Sequence, residues 1–475
     1  MHSFRLYPII LFILILGVSC VDFDHYSTND NYQLTFSSDT IYFDTVFTTV
    51  GSSTAKLMGY NNNPQPLKIE SVRLLAGDEK GFHINVDGTK GNNISNLIIK
   101  ERDSLYIFIE ANIRENQENK PYIIDDLLIF TVNGKEKQVV LQAYGQNAYH
   151  WKGKRIESDT TIQSDKPIII YDSLIINEQA TLTVNEGVVF YMADKAHIEV
   201  HGKLNTLGSV NKPIVIRGMR LDKLLPDLPY DLSPGQWGGI TIHKRSTDNS
   251  LVNTIIRNSS NGLVIYGNEE KKRSMYMYNC QLTNSSGDLM VSYDSWIEAI
   301  NTELTNARGK AAYLVGGKYL FTHCTFANYF RFASPEYPTL ILANYFESPE
   351  QTIAPITEAN FNNCIIDGKT GNELMILDAT LDKGIASTLE YRFDHCLIRT
   401  KQIESPRFIE TIWDQSADFI NTADKGYQFD FRIDSKSKAR QSGNKTYSLE
   451  YPLDRYGVAR PSDERPDIGA YQWVE

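Results

Sequence analysis

The chain reads as an all-β protein, a β-sandwich followed by a parallel β-helix. Two observations predict this. Seven or eight short strand-like runs, parted by turn clusters, fill residues 34–146. A six-residue phrase then recurs through the second half: Asn253-Thr-Ile-Ile-Arg-Asn258, Asn279-Cys-Gln-Leu-Thr-Asn284, Asn301-Thr-Glu-Leu-Thr-Asn306 and His323-Cys-Thr-Phe-Ala-Asn328. Looser copies follow at Asn363-Cys-Ile-Ile-Asp-Gly368 and His395-Cys-Leu-Ile-Arg-Thr400. Successive copies start 26, 22, 22, 40 and 32 residues apart. A period in the low twenties, stretched where loops intrude, marks a stacked repeat.

Residues 1–19 have the pattern of a secretory signal. Arg5 precedes an apolar run from Tyr7 to Leu16, and small residues precede Cys20. The run is too short to span a bilayer as a permanent helix. Val18-Ser19-Cys20 resembles a bacterial lipobox, with Gly17 standing where that pattern usually has Leu. The resemblance implies that Cys20 carries the lipid, palmitate among its chains, and becomes the first mature residue. Residues 20–33 are polar, lack a core pattern and read as a tether. Asp22 and Asp24 are similar to the acidic residues that follow the lipidated Cys in Bacteroidetes-type surface lipoproteins. That implies an outer-membrane protein facing the cell exterior.

Within residues 34–146 the strand-like runs are Thr40–Val50, Thr54–Tyr60, Leu67–Leu75, Phe82–Val86, Asn96–Ile99, Ser104–Ile113, Asp126–Val132 and Lys137–Ala143. They are rich in Val, Ile, Phe, Tyr and Thr, and Asn133-Gly134 is a hairpin signal. So many short strands in so short a stretch predict a two-sheet sandwich. Ile41-Tyr-Phe-Asp-Thr-Val-Phe47 and the stretch from Tyr60 to Ile69 resemble the immunoglobulin-like modules of bacterial surface lipoproteins. The resemblance implies a spacer or docking module without chemistry.

The solenoid is expected over residues 150–475. In each phrase the small second position, the apolar fourth and the sixth share the two-residue period of a strand. A second alternating run precedes most copies: Met275/Met277, Ile297/Ala299, Tyr319/Phe321, Ala359/Phe361 and Tyr391/Phe393. The apolar phase slips by one residue between the runs, which places a corner at the Asn or His. Corner Asn tolerates the left-handed conformation, and a ladder of stacked amides is expected at Asn258, Asn284, Asn306 and Asn328. Ala180–Gly187, His197–Gly202, Pro213–Arg217 and Gln236-Trp-Gly-Gly-Ile-Thr-Ile242 are similar to the opening coils of secreted right-handed, pectin-lyase-like β-helices. Loops are expected at Met219–Pro234, Tyr329–Gln351 and Gly371–Thr388. Tyr456–Pro461 and Arg465–Tyr471 resemble a closing motif that seals the final coil of bacterial β-helix proteins. Sandwich and tail would thereby cap the two open ends of the stack.

The net charge of −11 disfavours nucleic acid, which needs clustered Lys and Arg. Cys280, Cys324, Cys364 and Cys396 share one column of the repeat and are expected as free, small packing residues. Cys280 and Cys324 lie two coils apart, roughly 9–10 Å, too far to bridge.

Polysaccharide-cleaving β-helix enzymes are the natural rival to a binding protein. Asn301-Thr-Glu303 resembles the first motif of polygalacturonase-like enzymes, but no Gly-His-Gly occurs and Asn301 is explained by the repeat. Hydrolysis with inversion needs two carboxylates about 6.5–9.5 Å apart across one sugar, and the repeat columns supply no such pair. Asp288, Asp294, Arg308 and Lys310 could furnish a lyase-type Ca²⁺ and base cluster, though single charged residues on solvated corners are the commoner explanation. His197 and His201 are four apart, about 13 Å on a strand and too far for one ion, so no metal and no cofactor is expected. Outward aromatics Tyr276 and Tyr278, with Tyr293 and Trp296, form a candidate binding surface for sugar rings or a partner protein.

The resulting expectation is a non-catalytic, lipid-anchored surface scaffold, an accessory subunit of an outer-membrane transport or β-barrel assembly complex. The alternative is a glycan-binding, lyase or hydrolase protein of a polysaccharide-utilisation system.

Overall fold

The computed structural model describes residues 25–475 except 118, 226–227, 348–351, 383, 424–426 and 463. The proposed lipidation site Cys20 and its signal lie outside the described residues. The chain divides into two compact units, one of residues up to 146 apart from 118–120, the other of 118–120 and 147–475.

The first unit is two five-stranded sheets over one core. One sheet orders Thr35–Phe36, Ala55–Tyr60, Ser104–Ala111, Phe82–Val86 and Thr89–Lys90; the other orders Thr40–Phe47, Lys135–Gln146, Tyr122–Val132, Leu67–Leu74 and Asn93–Ile99. Alternation places Leu57, Ile107 and Ile109 of the first sheet against Ile69, Leu128 and Leu141 of the second. All pairs are antiparallel except Thr40–Phe47 with Lys135–Gln146.

The second unit is a parallel β-helix built on an 18-stranded and a 10-stranded sheet. A coil takes one strand from the smaller sheet, such as Trp296–Ile300, turns at Asn301, runs through Glu303–Ala307, turns again and continues as Ala312–Val315. The turn residues Asn253, Asn279, Asn301, His323, Asn363 and His395 all have φ between 45° and 56°. Asn and His tolerate this left-handed region better than most side chains. The predicted corner is therefore where the chain bends.

Parallel register stacks like on like. Ile256, Leu282, Leu304, Phe326, Ile366 and Ile398 form one inward column. Met277, Ala299, Phe321, Phe361, Phe393 and Phe408 form another, and its Phe361 and Phe393 rings lie parallel at 4.5 Å. The four cysteines are buried and free, each thiol donating to backbone carbonyls of its own and a neighbouring coil. Each of them directly follows a left-handed corner residue.

Three expectations need correction. Tyr329–Gln351 and Gly371–Thr388 are not loops throughout, because each contains a solenoid strand, Leu340–Ala343 and Leu374–Leu377. Both strands extend the column Leu263, Met290, Ala312, so their apolar runs belong to the core. The closing motif touches the final coil through Arg465, which pairs with Glu410 at 2.8 Å, but it is not confined to that coil. It runs back over the corner of middle coils: Arg455 donates to the Cys280 carbonyl, Arg460 to Asn301 Oδ1 and the Ala470 amide to Thr325 Oγ1. The ladder of amides is likewise in another column. Asn279 donates to Asn253 Oδ1 at 3.3 Å and Asn301 to Asn279 Oδ1 at 3.1 Å, while His323 and Asn363 pair at 3.2 Å. Asn284 and Asn306 are in register, yet their amides bond to loop backbone.

Candidate functional site

The outward face of three successive coils forms the floor of a cleft of about 440 Å³. Arg257 comes from Thr254–Arg257, Gln281 and Thr283 from Gln281–Ser285, and Glu303 from Glu303–Ala307. Register sets Gln281 directly over Glu303 and Arg257 over Thr283. One wall is the excursion after Gly218, a short hairpin and a single 3₁₀ turn at Tyr230–Leu232. Asn258 and Asn284 hold that wall. The Asn258 amide donates to the Asp231 carbonyl at 2.6 Å and the Asn284 amide to the Leu232 carbonyl at 2.9 Å. These two members of the expected ladder thus fasten a loop. Asn306 and Asn328 cap backbone amides instead, Asn306 accepting from Tyr329 and Asn328 from Ala307.

The opposite wall is aromatic and comes from the loop after Asn328 and from the C-terminal segment. Phe332 stacks on Tyr427 at 6.2 Å, Phe429 on Phe431 at 5.7 Å, and Tyr456 leans on Tyr471 at 4.9 Å.

Every carboxylate of the cleft is committed. Asp231 lies 2.8 Å from Arg217 and 3.1 Å from Arg257. Asp430 takes three bonds from Arg432, at 3.0, 3.1 and 2.6 Å. Burial raises the Asp430 carboxyl, but the Arg432 guanidinium outweighs it and holds it below the usual carboxylate range. Glu303 Oε1 accepts from Gln281 Nε2 at 2.8 Å and Thr305 Oγ1 at 2.9 Å, and Oε2 accepts from the Tyr471 hydroxyl. The same hydroxyl accepts from Arg455 at 2.9 Å. Burial costs Arg455 its charge in principle, yet Tyr471 and Glu303 over-compensate and keep it protonated.

The candidate surface Tyr276, Tyr278, Tyr293 and Trp296 does not form one patch. Tyr276, Tyr278 and Trp296 belong to the smaller sheet, all half-buried, with Arg273 over Tyr276 at 5.0 Å and Lys318 over Trp296 at 5.1 Å. Tyr293 belongs to the larger sheet and packs on Tyr266 and Phe346. Sequence proximity misled here because a corner separates Tyr293 from Trp296. Asp288 and Asp294 stand at opposite ends of Met290–Tyr293 and pair with Lys310 and Lys271, so they do not meet around one ion.

Among the described residues, one group of His, Cys, Asp and Glu side chains could share a metal: Glu199, His201 and His243. Comparing His197 with His201 along one strand missed His243, which the next coil brings onto His201. The cleft residues of the C-terminal segment were missed for a related reason. Tyr427 to Arg432 lie outside any repeat, and only Tyr456 and Tyr471, inside the closing motif, carried a signal.

No family model matches the chain, and no curated protein matches it. Among solved structures it is similar to the catalytic domain of a GH87 α-1,3-glucanase, at 10% identity over 77% of this chain and 88% of that one, with a TM-score of 0.22. It is also similar to a family 123 glycoside hydrolase from Clostridium perfringens (11% identity, 25% and 30% covered, TM-score 0.18). The E. coli chaperone DraB is a third (11% identity, 24% and 56% covered, TM-score 0.18). The matched part is under two thirds of the length of the last two. Likenesses this remote place no constraint on function.

Proposed function

We propose that the protein binds a glycan in the cleft on its β-helix, as a lipid-anchored protein of the outer membrane, and does not cleave it. The observation that supports this is the pairing of six lining aromatics (Phe332, Tyr427, Phe429, Phe431, Tyr456 and Tyr471) with a polar floor of Gln281, Thr283 and Asn306. Sugar rings have apolar faces and hydroxyl edges, so aromatic walls and amide or hydroxyl donors recognise them together. Binding is favoured over hydrolysis because a general acid needs a carboxyl with a raised pKa. Asp430 is shifted the other way, Glu303 accepts hydrogen bonds on both oxygens, and Asp231 is ion-paired with Arg217 and Arg257.

Anchoring rests on the lipobox-like Cys20 and the acidic residues behind it, and the sandwich is assigned the role of an immunoglobulin-like spacer. A second role, docking onto an outer-membrane protein complex, is favoured by one feature of that sandwich. Tyr42, Ile123 and Tyr144 lie exposed on neighbouring strands of one sheet, with Tyr144 in register with Ile123.

The test is calorimetric titration of the purified protein with a panel of neutral and acidic oligosaccharides, alongside Tyr427→Ala. Saturable binding with unchanged substrate, weakened at least about tenfold in the variant, is expected. Release of reducing ends or unsaturated sugars would overturn the non-catalytic reading. Absence of binding, together with stoichiometric capture of a membrane protein from detergent extracts, would leave only the docking role.

A further inference from the structure

Away from the cleft, three histidines converge on one glutamate. His197 and Glu199 lie on His197–Val200, and His201 follows directly. Gly239–Ile242 stacks below in parallel register, with His197 beside Gly239 and Val200 beside Ile242, so His243 falls under His201. The two imidazoles stack at 3.9 Å with 9° between their planes. His201 Nε2 is 3.3 Å from Glu199 Oε2, and His243 Nε2 is 4.0 Å from the same oxygen. The other oxygen, Oε1, faces His197 Nε2 at 3.4 Å. The donor atoms of Glu199, His201 and His243 lie within 4.8 Å of one another.

We infer that Glu199, His201 and His243 form a binding site for a divalent transition-metal ion of the zinc and copper class. Imidazole and carboxylate donors suit these ions, with metal–donor bonds of about 2.0–2.2 Å. Tetrahedral donors at that bond length stand about 3.3 Å apart. The His201–Glu199 edge already has this length; the two stacked imidazoles lie in nearly parallel planes, so one ring must turn about its side-chain torsions for both Nε2 lone pairs to meet on one ion.

A second observation points the same way. His243 Nε2 is shut off from solvent and has no hydrogen-bond partner, although it is aimed at the Glu199 carboxylate. A buried lone pair without a partner is costly, and a metal ion would satisfy it. His197 acts as a positioning residue that fixes the carboxylate from its far side, as carboxylate partners do around metal ligands. Gly239, in register with His197, adds no side chain to crowd the group. His201, His243 and Glu199 are each about one-third exposed, so the group lies at the surface of the solenoid.

The experiment is titration of the untagged protein with ZnCl₂ by calorimetry, and of a separate sample with CuSO₄ by electron paramagnetic resonance. One equivalent of Zn²⁺ should bind, and the Cu²⁺ spectrum should show splitting from two equivalent nitrogens. His201→Asn and His243→Asn should each weaken Zn²⁺ at least about a hundredfold, and His197→Asn about tenfold. Absence of saturable Zn²⁺ binding, a His243→Asn variant that binds normally, or a Cu²⁺ spectrum without nitrogen splitting would overturn the site. The wild-type spectrum decides the matter even should a variant misfold.

Discussion

Glu303 shows how much one side chain of the repeat is asked to do. Its neighbours in the phrase sequence are ordinary rung residues, and its position alone reads as an outward strand residue. The structure makes it the junction of Gln281, Thr305 and Tyr471, with Arg455 one hydroxyl further on. Glu303→Gln keeps the shape but removes the charge that offsets a buried guanidinium. We expect a loss of about 1–3 kcal/mol in denaturant unfolding. Unchanged stability would mean that Arg455 is satisfied by Tyr471 and the Cys280 carbonyl alone. The corner asparagines were legible as corners because phase slip is a sequence property. Their bonding partners were not, because periodicity gives the rung and not the direction of an amide. Asn253, Asn279 and Asn301 form the ladder, while Asn258 and Asn284, in the column expected to form it, hold a loop.

At the scale of strands, the inward column of rings is the feature most nearly readable in advance. Phe321, Phe361 and Phe393 were all placed inward by alternation, and all are buried, with neighbouring rings 5.1 and 4.5 Å apart. Phe361→Ala removes the middle ring, which touches Phe321, Phe326 and Phe393. A cost of about 3–5 kcal/mol is expected, measured as a lower urea midpoint with an unchanged slope. A drop in slope as well would indicate that coils beyond the cavity melt separately. The strands Leu340–Ala343 and Leu374–Leu377 were hidden by the prolines and polar clusters around them. Turn residues mark an excursion without saying whether the chain re-enters the stack before the excursion ends.

For the molecule as a whole, the segment after Ala417 ties distant coils together. Asn444 exchanges bonds with Asn363, Ser448 meets His323, and Tyr447 donates to Asp394 at 2.8 Å. Asp394 also accepts from Arg392 and from His395 at 2.6 Å. Burial raises its carboxyl, but these donors prevail and the folded pKa lies below the ordinary Asp value. The unfolded chain then binds the proton more tightly, so this group stabilises fully above about pH 4, the unfolded Asp range, and less as pH falls through the folded value. Asp367 and Asp467, raised by burial, slope the opposite way above that range. Asp394→Asn should therefore be less stable at neutral pH and show a shallower loss on acidification below about pH 4 than the parent protein. Parallel acid-unfolding curves for the two would remove Asp394 from the account. The tail's apolar and Gly-rich motif was visible in sequence. Its address was not, because it binds a corner surface that exists only after the coils have stacked.

That address has a consequence for how the protein is made. Tyr471 meets Glu303 across 168 positions, and Arg455 reaches Cys280 across 175. Coils that leave a ribosome first can wind on each other at once, but the wall that Tyr456 and Tyr471 give the cleft is missing while the downstream segment is still to come. A prematurely halted product would be wound yet lack that wall.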